Sequence, residues 1–220
     1  MFGQIFHIKL NGLELTMRPW TLEEAKASSE KVSSPKVQRF IRMQSGTTPE
    51  GQSDWYNRVR EDRYTLAWAI VPTSTGIPIG TTSIHGIRTN SENSCYTGIL
   101  IFDTDWWRKR VASTTHIVRT WVALEQENVA TITSGVYTTN VGSWRALVNV
   151  GYRRLQGKVY GARWADGKYH AKYELQLINP RFAKAVVGPK PPKAVAESIK
   201  KAQSTIDTFN KAVKEGNITF

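Results

Sequence analysis

The sequence predicts an α/β domain of the mixed α+β type, in which a mostly antiparallel sheet of six or seven strands is flanked by helices. Short runs rich in β-branched and aromatic residues alternate with longer segments whose apolar residues recur at helical spacing. Proline and glycine residues separate these segments. Near the end of the pattern, Asp166-Gly167 lies between two strand-like runs and is typical of a tight hairpin, so we expect that pair to be antiparallel.

The first third of the chain predicts one strand followed by helices. Residues 13–20 form a strand-like run that ends at a proline. Thr21, with a glutamate three residues later, is typical of a capping box at the start of a helix. We expect two helices over 21–43, because Pro35 interrupts the helical pattern. A loop at 44–53 and then a short polar helix complete this part.

Three strands are predicted in the next part of the chain. The first two lie at about 64–71 and 79–87, and the segment P-T-S-T-G-I-P between them predicts a hairpin connection. A polar turn at 88–94 precedes the third strand, 95–102, which ends in the sequence G-I-L-I-F. We expect this third strand to be the central strand of the sheet.

The remainder of the domain alternates helices and strands. A basic turn leads into a helix over 113–127, which has an apolar stripe and for which Ser113 or Thr114 is the expected cap. A strand over 131–137 and a short helix over 142–149 follow. The helix is followed by Gly151, whose expected conformation is left-handed. Two last strands, at about 152–163 and 169–178, form the hairpin named above.

Composition divides the chain into three parts. We expect a folded domain over residues 1–180, a Pro/Lys-rich linker over 181–193 and a basic helical tail over 194–220. The tail contains one predicted helix with a weak apolar stripe. Three roles are open for it: contact with nucleic acid, anchoring of a homo-oligomer, or a solvated helix that packs its apolar stripe on the domain.

Charge and cysteine content limit the classes of partner. The 220 residues include 30 Lys and Arg against 18 Asp and Glu, a net charge of +12, which favours polyanions such as nucleic acid on the basic surface. Cys95 is the only cysteine, which excludes an intrachain disulfide and a cysteine-based metal site. No apolar run reaches the roughly 18 residues of a membrane span, and the start of the chain is unlike a signal peptide. We therefore expect a cytoplasmic protein with no membrane partner and no metal.

The segment from Gly98 to Tyr152 resembles the GNAT superfamily of acetyl-coenzyme A-dependent N-acetyltransferases. The resemblance is carried by G-I-L-I at 98–101, W-R-K-R-V-A-S-T-T at 107–115, and the pattern N-x-x-S-x-R-x-x-x-x-x-G-Y that begins at Asn140. It is strongest to the branch that acetylates ribosomal-protein N-termini and polyamines. Strand-like segments upstream extend the resemblance to roughly residues 13–180, which implies a GNAT-like fold.

Three features of the family pattern are missing from this sequence. The glycines of the family's phosphate-binding turn correspond here to Arg108 and Arg110. A tyrosine that many members use as a general acid corresponds to Leu147. The expected Thr-Glu-Ala after the turn is Ser-Thr-Thr.

The resemblance implies that the cofactor is acetyl-coenzyme A, bound by three segments. The backbone at the end of the central strand would pair with the pantetheine arm. The turn and the start of the following helix would hold the pyrophosphate, because helix N-termini attract anions. A carboxamide and a hydroxyl at the start of the short helix would contact the rest of the cofactor. The implied cofactor-binding residues are Leu100, Ile101, Phe102, Arg108, Lys109, Arg110, Val111, Ala112, Ser113, Asn140 and Ser143.

The implied reaction is direct attack of a primary amine on the acetyl thioester in a ternary complex. Such a reaction needs a group that accepts the amine proton and one that protonates the thiolate. His85, His170 and Ser143 are the catalytic candidates. Further acid or base candidates are Tyr96, Asp103, Tyr160 and Glu174.

The acceptor stays open between a protein N-terminus, a small amine and an amine-bearing nucleic acid. A polycationic acceptor such as a polyamine is disfavoured, because the net charge of +12 would repel it. The alternative to an enzyme is a catalytically inactive GNAT-fold module, for example a virion-associated one, whose basic surface binds nucleic acid or a protein partner.

Overall fold

The computed structural model describes residues 1–41, 47–87, 91–155, 157–165 and 167–220. The chain forms two compact units. The first unit comprises Met1–His85, Gly98–Val111 and Ala212–Phe220, and the second comprises Gly86–Thr97 and Ala112–Lys211.

The described residues contain ten strands and eight α-helices. The strands are β1 (Phe6–Leu10), β2 (Leu13–Arg18), β3 (Thr65–Pro72), β4 (Gly80–His85), β5 (Ser94–Ile101), β6 (Thr131–Tyr137), β7 (Arg153–Arg154), β8 (Val159–Ala165), β9 (Lys168–Ile178) and β10 (Ile218–Thr219). The helices are α1 (Leu22–Ala27), α2 (Ser29–Ser33), α3 (Pro35–Gln38), α4 (Pro49–Glu61), α5 (Val111–Trp121), α6 (Val141–Asn149), α7 (Ala183–Val187) and α8 (Lys193–Lys214). Short 3-10 turns span Thr104–Trp106 and Pro180–Phe182, and a π-helical turn spans Val122–Gln126.

The strands of the first unit pair in the order β10-β1-β2-β3-β4-β5. The recorded pairs β1–β10, β1–β2, β2–β3 and β3–β4 are all antiparallel. One side of this sheet packs on a core that contains Trp20, Val37, Val71 and Phe102. The Trp20 ring also packs edge-on against Trp55, with ring centroids 5.7 Å apart. Burial of these large rings stabilises the first unit.

The helices of the first unit follow local signals. Thr21 and Glu24 form the predicted capping box at the start of α1. The helical region beyond it is divided into three short helices rather than two, with Pro35 as the first residue of α3. The predicted loop at 44–53 is wrong in its second half, because Thr48 caps α4 and Pro49 begins it. The other part of that prediction, residues 44–46, lies outside the described residues.

The sheet of the second unit pairs in the order β5-β6-β9-β7, and β8 pairs with β9. Here β5 and β6 are parallel over three residue pairs, from Ser94↔Thr131 to Tyr96↔Thr133. The pairs β6–β9, β7–β9 and β8–β9 are antiparallel. The "mostly antiparallel" prediction is therefore confirmed, and β5–β6 is a parallel pair.

The helix predicted over 113–127 begins earlier and ends differently. It starts at Val111, so the proposed caps Ser113 and Thr114 lie inside its first turn and do not cap it. After Trp121 the helix widens into the π-helical turn, in which the Glu127 amide donates to the Val122 carbonyl over 2.9 Å. Gly151 has φ of +108°, in agreement with the predicted left-handed residue after α6.

The predicted helix in 194–214 is confirmed as α8, and its apolar stripe is buried. Trp121 stacks on Phe209 with ring centroids 4.1 Å apart, and its indole nitrogen donates to Asn210 Oδ1 over 3.1 Å. The Ser198 hydroxyl donates to the Gly151 carbonyl over 2.5 Å. Helix α8 therefore packs its apolar stripe within the second unit, while the linker and tail boundaries stay a prediction.

The strands β1 and β10 and the helix α7 were not predicted from sequence. The single strand predicted over about 152–163 is divided into β7 and β8. The first strand alternates buried and exposed residues over only five positions, and β10 has two residues, so neither carries a strong local pattern. The prediction of six or seven strands is corrected to ten. The predicted hairpin residue Asp166 and the predicted turn residues 88–90 lie outside the described residues. None of the helices in the described part of the chain is long and apolar enough to span a membrane.

Candidate functional site

The turn between β5 and α5 is anchored on the first unit by one aromatic and one acidic residue. The Trp107 indole donates to the Ile101 carbonyl over 2.8 Å, and its ring packs edge-on against Phe40. Asp103 caps the 3-10 turn through the Asp105 amide and forms an ion pair with Lys31 at 2.6 Å. Asp103 therefore has a structural role, and together with Trp107 it holds the start of the turn in place.

Two arginines in this turn have a backbone conformation that usually requires glycine. Arg108 and Arg110 both have φ of +63°, in the left-handed region that L-residues occupy at a cost of roughly 1–2 kcal/mol. They are the positions at which the family pattern has glycine. The backbone therefore keeps the path that glycine would allow, although the side chains differ.

The side chains of the turn are exposed and cationic. Arg108, Lys109 and Arg110 are all exposed, and the Lys109 ammonium lies 5.1 Å from the centroid of the Trp106 ring. Because α5 begins at the next residue, the positive end of its helix dipole adds to these charges. This combination is chemically suited to an anion such as a diphosphate.

Some backbone groups at the end of β5 already form hydrogen bonds within the protein. The Phe102 amide donates to the Ile79 carbonyl over 3.0 Å, and the Ile101 carbonyl accepts from Trp107. A Cβ added at Gly80 would lie 2.5 Å from the Leu100 carbonyl oxygen, so only glycine permits this close approach of the backbones. Pairing of a ligand with 100–102 must therefore use backbone groups other than these.

A chain of four polar side chains ends beside the start of the G-I-L-I segment. Asp62 Oδ2 accepts from the Thr65 hydroxyl over 2.7 Å, Thr65 Oγ1 lies 3.1 Å from His85 Nδ1, and His85 Nε2 lies 2.7 Å from Ser83 Oγ. A Cβ added at Gly98 would lie 3.3 Å from Ser83 Oγ and 4.0 Å from His85 Nε2. The exposed His85 ring therefore lies over Gly98 in the first unit.

The direction of these bonds defines the tautomer of His85. The Thr65 hydroxyl and then the Tyr64 amide lower the pKa of Asp62, so its carboxylate is ionised and only accepts. Thr65 must then donate to Asp62 and accept from His85 Nδ1–H. This assignment leaves the lone pair on His85 Nε2, which accepts from the Ser83 hydroxyl. His85 Nε2 is therefore a basic nitrogen that is hydrogen-bonded to the Ser83 hydroxyl.

In the second unit, Asn140 and Ser143 of the N-x-x-S pattern are joined by the hydrogen bond that caps α6. Asn140 Oδ1 accepts from the Ser143 amide over 3.2 Å, which makes Asn140 the N-cap of α6. The Asn140 oxygen is therefore occupied, and its amide nitrogen is the group suited to a ligand. Leu147, at the family's tyrosine position, is buried and only 2% exposed, so it supplies no acid.

The remaining acid and base candidates are dispersed. His170 is half-buried in β9, opposite Arg163. Glu174 is ion-paired with Lys172 at 2.6 Å. Tyr96 and Tyr160 are exposed residues of β5 and β8.

Sequence reasoning did not identify the partners of His85. Ser83 precedes it by two residues in β4, and the two-residue period of a strand places both on one face, which was the available signal. Thr65 and Asp62 gave no such signal, because their position next to His85 depends on the pairing Thr65↔His85 between β3 and β4.

A buried polar cluster on the inward face of α5 also escaped prediction. Burial and then the charge of Arg119 hold the pKa of His116 well below its usual 6.5, and burial raises the pKa of Tyr152. The Tyr152 hydroxyl lies 3.0 Å from the Thr97 hydroxyl. Burial also raises the pKa of the nearby Cys95 thiol to about 12, which keeps it protonated. His116 is fully buried.

Comparison with known proteins relates this geometry to a family. The family model described as an acetyltransferase (GNAT) domain matches residues 14–153. No curated protein sequence matches the chain at a significant level.

Among solved structures, spermidine N-acetyltransferase from Vibrio cholerae, in complex with CoA and spermine, is 14% identical with a TM-score of 0.68, covering 76% of this chain and 97% of that one. RimJ from Mycobacterium smegmatis, in complex with CoA-disulfide, is 13% identical with a TM-score of 0.68, covering 99% of this chain and 95% of that one. Ribosomal-protein-S5-alanine acetyltransferase from Vibrio fischeri is 16% identical with a TM-score of 0.66, covering 75% and 93%. At these identities the likeness establishes the fold. Because the family model spans well over half of the chain, the protein belongs to the GNAT acetyltransferase family.

Proposed function

We propose that the protein transfers an acetyl group from acetyl-coenzyme A to a primary amine by direct attack in a ternary complex. Membership of the GNAT family makes the chain an acyltransferase with acetyl-coenzyme A as cosubstrate. The observation that carries the proposal for the site is the left-handed backbone at both Arg108 and Arg110. It preserves the turn in which the family has glycine, and it fits a diphosphate.

The turn holds the diphosphate in this proposal. Backbone N–H groups of the turn and of the start of α5 bind the phosphate oxygens, and the exposed cations add charge-assisted hydrogen bonds. The proposed residues of this segment are Arg108, Lys109, Arg110, Val111, Ala112 and Ser113.

Two further groups of residues would orient the remainder of the cofactor. The backbone of Leu100, Ile101 and Phe102, outside the groups already bonded, would pair with the pantetheine arm. The amide nitrogen of Asn140 and the hydroxyl of Ser143 would contact it as well. When bound, the cofactor supplies the acetyl group as a thioester.

His85 is the proposed general base. Its Nε2 lone pair accepts the proton of the acceptor amine, either directly or through the Ser83 hydroxyl, which passes its own proton to Nε2. Thr65 and Asp62 are positioning residues that hold Nδ1–H and stabilise the imidazolium that results. Ser143 as proton donor to the thiolate and His170 as a second base also stay proposals.

The acceptor carries an amine, and its class is the open part of the proposal. A protein N-terminus, a small amine and an amine-bearing nucleic acid remain the choices, and the net charge of +12 disfavours a polycation. The family match does not support the alternative of a catalytically inactive binding module. Labelled acetyl transfer screened against peptides, small amines and oligonucleotides identifies the class.

The cofactor site is tested by calorimetry with acetyl-coenzyme A. Arg108→Ala and Arg110→Ala should each weaken binding by about tenfold, because each removes one charge-assisted contact. Lys200→Ala, which removes an exposed charge from α8, is the matched control and should leave the Kd unchanged. Equal effects of all three variants would assign the loss to general charge and contradict the proposed site.

The general base is tested by steady-state kinetics once an acceptor is known. His85→Gln should lower kcat by roughly a hundredfold or more with little change in the KM for acetyl-coenzyme A. Thr65→Val should lower kcat less, and Thr65→Ser, which keeps the hydroxyl, should restore it. His7→Gln is the matched control, since His7 is also exposed and also bonded to a threonine hydroxyl. A normal pH–rate profile in His85→Gln would exclude His85 as the base.

A further inference from the structure

The ribbon formed by β8 and β9 exposes large aromatic side chains. Tyr160 is 81% exposed, Tyr169 is 68% exposed and Trp164 is 54% exposed. Tyrosine and tryptophan rings are usually at least half-buried in folded proteins, because water contact forfeits the stabilisation that their burial provides. Three such residues on one ribbon indicate a surface that is covered by a partner.

Two of these rings form one exposed aromatic pair. Trp164 lies directly opposite Tyr169 in the β8–β9 register, so both side chains project from the same face. Their ring centroids are 4.9 Å apart and their planes meet at 70°. The pair thus offers ring surfaces in a defined orientation, suited to planar groups that stack on them.

The ribbon and the short strand β7 beside it have a positive net charge. Residues 153–178, which cover β7, β8 and β9, contain six Lys and Arg, one Asp and one Glu, and this Glu174 is ion-paired with Lys172. Two of the arginines lie over rings: the Arg163 guanidinium is 5.6 Å from the centroid of Tyr137, and that of Arg154 is 4.5 Å from the centroid of Tyr173. These contacts hold the guanidinium groups in place beside the ribbon. The net charge of this part of the chain is therefore positive, and two of its guanidinium groups are held in place.

We propose that the β8–β9 ribbon binds single-stranded nucleic acid. Exposed aromatic rings stack on unpaired bases, and interspersed cations bind the phosphates between them. An acidic peptide would satisfy the cations but would leave the rings without a planar partner. This proposal is independent of the acetyl-transfer chemistry proposed above.

A second copy of the chain is the less favoured occupant. In a two-fold interface the same patch meets itself. Here that would bring the β7–β9 part of one copy, with six cations and two carboxylates, against the same set of charges. Like charges across an interface oppose association, whereas a polyanion neutralises them.

Fluorescence anisotropy with labelled oligothymidine and oligouridine tests the proposal. Trp164→Ala and Tyr169→Ala should each weaken binding by about 5- to 150-fold, the range for loss of one stacked base. Lys158→Ala and Lys168→Ala should weaken binding less and lower the slope of log K against log salt by about 0.7 each. Tyr64→Ala, an exposed tyrosine of the first unit, and Lys200→Ala are the matched controls and should bind as the unchanged protein does. Circular dichroism confirms that each variant is folded.

Other outcomes overturn the proposal. Binding that is absent, or that is equally reduced by the controls, excludes a specific site on the ribbon. Tighter binding to duplex than to single-stranded DNA excludes stacking on unpaired bases. A dimer in sedimentation experiments that Trp164→Ala dissociates would assign the surface to a second copy. Adsorption to anionic vesicles in place of oligonucleotides would assign it to a membrane.

Discussion

At the scale of single residues, the turn before α5 combines charge with an unfavourable backbone conformation. Arg108 and Arg110 occupy the left-handed region with φ of +63°, where the Cβ atom crowds the following carbonyl oxygen. A residue that keeps this conformation against its own preference must be held there by its surroundings, and Trp107 is anchored immediately before it. The strain and the charge can be separated by two substitutions at the same position.

Arg110→Ala removes the charge and keeps the Cβ atom, whereas Arg110→Gly removes both. We expect the glycine variant to have a free energy of unfolding about 1 kcal/mol higher than the alanine variant, because glycine has no Cβ to crowd. Urea denaturation of both variants measures the difference. Equal stabilities would show that the turn is not strained in solution.

The buried imidazole of His116 has a consequence for stability at acid pH. Burial and the charge of Arg119 hold the pKa of His116 well below 6.5 in the folded state. In the unfolded chain it titrates near its usual value, so below pH 6.5 the unfolded state binds one proton more than the folded state. Stability is therefore lost as the pH falls, by up to about 1.4 kcal/mol per pH unit for this one proton.

His116→Leu should remove this contribution and flatten the decline in stability between about pH 6.5 and 5. Urea denaturation at several pH values measures the slope. His7→Leu, at an exposed histidine, should leave the slope as it is. An unchanged slope in His116→Leu would mean that the ring is protonated in the folded protein.

At the scale of elements, the start of α6 shows one residue with two separable tasks. The oxygen of Asn140 caps the helix, and its amide nitrogen is the proposed contact to the cofactor. A structural and a ligand-binding role predict different responses to substitution, because only the first depends on the oxygen.

Asn140→Ala should lower the free energy of unfolding by about 1 kcal/mol, the usual cost of a lost N-cap. Asn140→Asp keeps an oxygen acceptor for the Ser143 amide and should retain most of that stability. Both variants lack the amide donor, so both should bind acetyl-coenzyme A more weakly. If the aspartate variant binds as well as the unchanged protein, Asn140 has only its capping role.

At the scale of the whole molecule, the second unit depends on one glycine where α8 packs. Gly151 has φ of +108°, and a Cβ added there would lie 2.7 Å from the Ala202 nitrogen of α8. Both the backbone conformation and the lack of space exclude a side chain. The packing of the long C-terminal helix therefore constrains a residue fifty positions earlier in the chain.

Gly151→Ala should destabilise the protein by about 2 kcal/mol or more, since strain and overpacking add. Gly142→Ala is the matched control, because nothing lies within 4 Å of its added Cβ and its φ is not positive. Thermal and urea unfolding measure both variants. Equal stability of the two would mean that α8 does not pack in this way in solution.

Much of the secondary structure could be predicted because it follows local patterns. Strand β6 coincides with the predicted 131–137, and the capping box at Thr21 and the helix within 194–214 are as expected. Each of these depends on side chains a few residues apart, whose spacing is visible in the sequence. The family pattern around Asn140 likewise indicated the fold, because its residues lie in one continuous segment.

The sequence by itself therefore determined the order of most elements, the family and the net charge of the protein. Only the tertiary structure decided that Asp62 and Thr65 join His85, that His116 is fully buried, and that Ile218–Thr219 pairs with the first strand. These features join residues that are distant along the chain, through strand registers and helix packing that no local pattern encodes. The left-handed conformation of the two turn arginines belongs with them, because the surroundings impose it against the preference of the residue.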